Sequence, residues 1–394
     1  MSMVIRTVRN RLAMLVAAAV TFACLPLAQV EAQFRGGWRD ISTPSITSEG
    51  LEEYAEMLSM DELQLEFAKD LQQSYLAELA EIGDQMNEVR EAAREEFQTT
   101  RDSSVWQDMM EVAFRLGEKK EELEEQFFED VKLGLTDEQL ARWPMVEQRF
   151  RRDATLSNGG LIAGETVDVF DLAEDSDFAE NSEVMAAVTP ILERYSEDLD
   201  RALVKRNEVY EKGMMEGMRA WRDQDMEKVG ELFDNSRNAA KDIRGINERY
   251  VRSIASVLPA EDSEAFKRKF QTESFPEIYR DTAAHSAFQR VMELDSLTDE
   301  QKKELESIKS AFDERMERIN DELADAVLKW EENRPASAMF GRGPRGGSEE
   351  VQTERKTKSA FVERSIDQVR GVLTEDQASV LPEAPSKDWR NIGA

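Results

Sequence analysis

The chain is predicted to be all-α, three tandem long helical-hairpin units, each closed by a short helix. Three observations carry this prediction. Leu135-Thr136-Asp137-Glu138-Gln139 recurs as Leu297-Thr298-Asp299-Glu300-Gln301 and, with its acids swapped, as Leu373-Thr374-Glu375-Asp376-Gln377. The sequence around these copies is dense in Glu, Leu, Ala, Lys and Gln, which are good helix formers. Its apolar residues recur at steps of three and four, so they line one face of a helix.

Weaker copies begin at Leu58 (Leu58-Ser59-Met60-Asp61-Glu62), Leu172 and Leu258. Paired in order, the six starts lie 77, 86 and 76 residues apart. That regularity implies one supersecondary unit used three times. The motif itself reads as a capping box: Thr136 caps a helix, and Gln139 reaches back to the Thr136 N–H. Leu135 and Leu140 take the positions of a hydrophobic staple, and the two acids sit where the helix dipole favours them. Ser59 with Glu62, flanked by Leu58 and Leu63, is expected to repeat the arrangement. Each cap is worth about 0.5–2 kcal/mol.

Residues 1–32 read as a secretion signal. Arg6, Arg9 and Arg11 precede an apolar run, Leu12 to Cys24, that is too short to span a membrane. Ala32 supplies the small residue for cleavage. The rival reading is lipid anchoring at Cys24, which Thr21-Phe22-Ala23 fits poorly. Residues 33–50 are expected to form a flexible leader. The first unit covers 51–153, with helices from Met60 to about Gln98, from Ser104 to Gly134 with a stripe of Met109, Val112, Leu116, Leu123, Phe127 and Val131, and from Asp137 to about Arg152. A linker, 154–164, carries Gly159, Gly160 and Gly164. The second unit covers 165–281, with long helices near Val184–Arg222 and Met226–Val257, then a short one beginning at Pro259. The third covers 284–384; Leu305, Ile308, Phe312, Met316, Ile319, Leu323, Ala326 and Trp330 form a heptad-like seam. Residues 385–394 are a tail.

The register extends beyond the motif. Val131, Ile254 and Val369 stand four residues before the second motif of each unit, and Trp143, Phe266 and Leu381 eight after its first residue. A shared hairpin fold accounts for apolar positions held in step.

Here the sequence resembles a family. Paired Leu-Thr-x-x-Gln motifs in an exported, helical chain look like the periplasmic Spy/CpxP proteins. The residues that match are Leu135, Thr136, Gln139, Leu297, Thr298, Gln301, Leu373, Thr374 and Gln377. The resemblance implies a helical cradle and an ATP-independent chaperone or an envelope stress sensor, with unfolded or envelope proteins as partners. This chain departs from it in charge: those cradles carry basic patches.

The formal net charge is −31, and removing residues 1–32 takes away three Arg and one Glu, leaving −33. Such a surface opposes binding to nucleic acid or anionic lipid. His285 is the only His and Cys24 the only Cys. Those counts exclude a His-based triad and a multi-His metal site. No cofactor, metal site or catalytic residue is expected. His285 is read as a surface residue of a linker, and Glu121, Glu122, Glu124 and Glu125 as a solvated face. Arg342 to Gly347 and Arg35 to Gly37 read as loops. The Met214, Met215, Met218 and Met226 cluster reads as core filler, or as an adaptable binding face if exposed. The expected function is therefore a non-enzymatic binding module for exposed apolar segments. The alternative is a cell-envelope scaffold without clients.

Overall fold

The computed structural model describes residues 41–102, 104–336 and 347–381, without the side chains of Gln107, Met214, Met218, Trp221 and Arg222. The signal segment, Cys24, Arg35 to Gly37, Arg342 to Gly346 and the tail lie outside the described residues. All regular structure within them is helical. The chain divides into two compact units, one ending at Gly159 and one beginning at Gly160.

The first unit holds α1 (Ser48–Leu58), α2 (Glu62–Thr100), α3 (Ser104–Lys132) and α4 (Asp137–Thr155). Arg101 ends α2 in the left-handed conformation, φ 58°. Asp102 then accepts the Ser104 N–H at 2.9 Å, which turns the chain back. So short a link forces α2 and α3 to pack antiparallel. Tyr75, Leu79, Phe127 and Val131 form the core between them, closed over by Leu51 and Leu58 of α1 and by Trp143 and Val146 of α4. Nearer the tip, Ile82, Met86, Ala113 and Leu116 pack with Ile41.

The second unit contains α5 (Val169–Glu174), α6 (Ser182–Arg222), α7 (Met226–Ala255), α8 (Ala260–Ser274), α9 (Pro276–Tyr279), α10 (Ala283–Met292), α11 (Asp299–Asn333), α12 (Glu349–Val372) and α13 (Glu375–Ala378). Two long pairs, α6 with α7 and α11 with α12, lie in this one unit. Phe275 and Ile278 join them by packing on Leu323, Ala324, Ala326 and Val351. Burying two such side chains contributes about 1.5–3 kcal/mol each. Polar links reinforce the joint: Tyr279 Oη donates to Asp321 at 2.7 Å, Ala163 N donates to Glu331 at 2.8 Å, and Arg268 pairs with Glu317.

Several local expectations need correcting. Residues 41–50 of the leader are packed rather than free: Ile41 and Ile46 are buried, and α1 begins at Ser48. Ser59 does not cap α2. It ends α1 at φ 53°, and Asp61 is the N-cap of α2 with Gln64 as its box partner. Leu140 is 37% exposed, so the staple expected with Leu135 is not buried; Leu135 packs on the core instead. The Leu172 copy lies inside α5, and α6 begins at Ser182, two residues before the expected start near Val184. Pro259 stands at the N-cap of α8, one position before the expected one. The segment expected as a linker carries Ile162, buried in the second unit.

Candidate functional site

The repeated motif builds a clasp. Gln139 accepts the Thr136 N–H at 2.9 Å, as a capping box requires, but its amide does more. It donates to Gln64 Oε1 at 2.9 Å and to the Ser59 carbonyl at 3.3 Å. Gln64 answers in kind. Its oxygen accepts the Asp61 N–H at 3.0 Å, and its nitrogen donates to Gln139 Oε1 at 2.9 Å and to the Gly134 carbonyl at 2.8 Å. Both amides thereby fill their two donor and two acceptor positions. The helix starts of α2 and α4 are pinned to each other across the open end of the hairpin.

The same clasp closes the last hairpin. Thr298 and Thr374 cap α11 and α13. Gln301 donates to Gln377 Oε1 and to the Val372 carbonyl, both at 2.9 Å. Gln377 returns bonds to Gln301 Oε1 at 3.3 Å and to the Ser296 carbonyl at 2.8 Å. Leu297 is buried beneath it, and Leu373 packs on the same core. The weak copies of the middle hairpin carry no Gln that could form such a pair. Asn181 Oδ1 caps α6 through the Glu183 and Val184 N–H groups. Lys269 ties the end of α5 by donating to the Asp175 carbonyl at 2.6 Å.

A second shared feature is a groove that carries the chain's own upstream segment. Tyr75 is the fourteenth residue of α2, and its hydroxyl accepts the Ser45 N–H at 3.2 Å and donates to Glu124 at 3.4 Å. Lys120 donates to the Thr43 carbonyl at 2.8 Å and pairs with Glu124 at 3.6 Å. Gln72 donates to the Ile46 carbonyl at 3.1 Å. Burial pushes the Glu124 carboxyl up, against the opposing pull of Lys120. So Glu124 is no member of a solvated face. Tyr195 is the fourteenth residue of α6 and repeats the grip: it accepts the Val169 N–H and donates to Asn247, both at 3.1 Å. Asn247 holds the Gly164 and Val167 carbonyls at 2.9 Å. Beside it, fully buried Glu165 meets fully buried Arg206 at 3.2 Å, and Tyr210 donates to it at 3.0 Å. In α11 the fourteenth residue is Phe312, which has no hydroxyl. It stacks on Phe361 and meets His285 edge-on at 5.0 Å.

His285 is thus no loose linker residue. It stands at the N3 position of α10, half-buried, where Nδ1 accepts the Thr282 N–H at 3.0 Å. Burial lowers its pKa. It lines a shallow cavity of about 410 Å³ with Asp281, Phe288, Met292, Lys309 and Asp313, and Lys309 is paired with Asp313 at 2.6 Å.

The described residues expose little large apolar surface, and part of it is concentrated at the first clasp. Leu63 is 76% exposed, Leu133 83% and Phe67 41%. The Phe67 ring lies over Gly134, where an added Cβ would sit 3.1 Å from it. The matching positions at the other clasp are Glu300, Gly371 and Glu304. Met215 and Met226 are 38% and 46% exposed, so neither is core filler; the side chains of Met214 and Met218 lie outside the described ones. Among the described residues no three His, Cys, Asp or Glu side chains gather as a metal site, and no helix is long and apolar enough to cross a membrane.

Sequence reasoning found the clasp glutamines at 139, 301 and 377 and missed Gln64, though Asp61-x-x-Gln64 matches the motif in its polar positions. It also missed the groove segments and Arg206, for which an Arg three residues after Leu203 on an apolar stripe was the available signal. No family model matches the chain, and comparisons with curated proteins and with solved structures return no match.

Proposed function

We propose that the chain is an exported, non-enzymatic helical binding protein of the cell envelope that holds exposed apolar segments of other proteins without nucleotide. The observation that carries this reading is the exposed apolar surface of Leu63, Phe67 and Leu133 beside the first clasp. Exposed apolar clusters on soluble folds mark interaction surfaces, and the other clasp replaces this one with two Glu and a Gly. The resemblance to the Spy/CpxP family supports the same reading. Strong negative charge keeps such a protein soluble while it displays apolar surface.

The test is suppression of aggregation. Residues 33–394 are mixed with a chemically unfolded protein, without nucleotide. The parent chain is expected to suppress aggregation near equimolar ratio. The triple substitution Leu63→Ser, Phe67→Ser and Leu133→Ser should weaken that at least fivefold with unchanged helical circular dichroism. No suppression at several-fold excess of a helical sample overturns the reading. One observation favours the scaffold alternative: two grooves are already occupied by the chain's own segments. In that case the triple variant and the parent behave alike.

A further inference from the structure

The segment Ile41 to Ile46 lies in the α2–α3 groove the way a bound peptide would. It runs antiparallel to α2. Ile46 is held at the level of Gln72, Ser45 at Tyr75, and Ser42 at Gly83. From Gln72 to Gly83 α2 rises about 16 Å at 1.5 Å per residue. The four peptide steps from Ile46 to Ser42 cover about 13–14 Å when fully stretched. The segment does not run as a straight strand: it turns at Ile41 and Ser42 and bends at Thr43, Ser45 and Ile46, and side-chain reach spans the remaining distance.

What the groove grips is mostly common to any polypeptide. Lys120, Tyr75 and Gln72 bind the Thr43 carbonyl, the Ser45 N–H and the Ile46 carbonyl, all main-chain groups. Side-chain contacts lie at the two ends and at Ser45, whose side chain hydrogen-bonds Glu124. Ile41 packs with Ile82, Met86, Ala113 and Leu116; Ile46 packs with Leu51, Tyr75 and Leu79. Between them the backbone passes so near α2 that a Cβ on Gly83 would lie 2.7 Å from Ser42 Cβ. A side chain at position 83 would compete with the Ser42 side chain for the same space. In the α6–α7 groove the main-chain grip of Tyr195 and Asn247 is joined by a buried side-chain ion pair, Glu165 with Arg206. Side-chain anchoring of that kind is specific to its own sequence, whereas main-chain gripping is not.

We propose that the α2–α3 groove is a binding site for a polypeptide segment carrying two aliphatic side chains five residues apart, with residues 41–46 as its resident and displaceable occupant. This rests on the reading that the chain holds segments of other proteins, and it adds a second surface with a defined ligand. An arriving segment competes with the resident one, so affinity for it scales with the fraction of grooves standing open.

The test uses a fluorescein-labelled peptide of residues 40–47. Anisotropy is measured against the chain 33–394, against a chain beginning at Thr47, and against that shorter chain with Gly83→Leu. The shorter chain should bind at least tenfold more tightly than the longer one, and Gly83→Leu should abolish the gain. Gly-to-Leu favours helix, and unchanged helical circular dichroism of that variant shows that the loss is not unfolding. A peptide with Ser at both Ile positions should not bind. Equal affinity for the two chains, binding indifferent to Gly83→Leu, or no binding to a shorter chain of full helicity overturns the proposal. Should the shorter chain lose helicity, Ile41→Ser with Ile46→Ser in residues 33–394 loosens the resident segment instead. The peptide must then bind that variant at least tenfold more tightly than the parent, or the proposal fails. Aggregation assays separate this from the wider reading. Suppression without peptide binding removes only the groove site; peptide binding without suppression removes only the chaperone activity.

Discussion

Gln64 and Gln139, 75 residues apart, exchange amide hydrogen bonds in both directions at 2.9 Å. Gln301 and Gln377, 76 residues apart, do the same at 2.9 and 3.3 Å. A motif whose local meaning is a helix cap is therefore a long-range lock, and the near-equal separation is the length of chain that goes up one helix and back down the next.

That distinction is testable with a single atom pair. In an ordinary capping box Glu replaces Gln freely. In the clasp a carboxylate at position 139 still accepts the Thr136 N–H but cannot donate to Gln64 or to the Ser59 carbonyl. Gln139→Glu should destabilise the first unit by about 2–3 kcal/mol, nearly as much as Gln139→Ala. Urea unfolding followed by helical circular dichroism measures this. A neutral Gln139→Glu would reduce the residue to a cap.

The Tyr75 hydroxyl bridges the groove segment and Glu124. Tyr75→Phe should cost about 1–2 kcal/mol and speed hydrogen exchange at the Ser45 amide, which loses its acceptor. Exchange rates within α2 distant from the groove should not change.

Glu165 and Arg206 are both fully buried, and each neutralises the other's charge. Arg206→Met should cost about 3–5 kcal/mol because Glu165 is left buried without its countercharge, held only by Tyr210 and the Gly160 and Leu161 N–H groups. Glu165→Gln with Arg206→Met should recover part of that loss, since no lone charge remains. A double variant as unstable as the sum of the singles would show that the two residues act independently.

Acidification should reach the second unit through His285. Burial lowers its pKa in the folded state, so the unfolded chain takes up a proton first. Stability is then fully present above the ordinary value of about 6.5 and falls as pH drops through the lower folded value. Protonation also turns Nδ1 from an acceptor of the Thr282 N–H into a donor, which breaks the cap of α10. His285→Gln keeps a box-forming residue without the titration. It should match the parent at pH 7.5 and show a flatter decline below pH 6.5, read from urea midpoints across pH.

The helices and their apolar faces were legible in the sequence because both are local properties. Val131, Ile254 and Val369 stand at matched positions and are buried alike. So were the clasp residues Thr136, Gln139, Thr298, Gln301, Thr374 and Gln377, through their exact-spaced recurrence. The first clasp partner escaped notice because Asp61 replaces Thr and Ser59 imitates a cap, and only the left-handed turn at Ser59 separates the two frames. The packing of Phe275 and Ile278 between two helix pairs was hidden for a different reason. Which hydrophobic surface meets which depends on contacts between residues far apart in sequence, and helical periodicity carries no record of them. The sequence by itself determined the long helices, the caps at Thr136, Thr298 and Thr374, and the recurrence of the motif. The tertiary structure alone decided that capping glutamines face each other, that the described residues from 160 onward form one compact unit, and that an upstream segment fills the first groove. Each of those depends on distances across the fold, which close only when the long helices lie side by side.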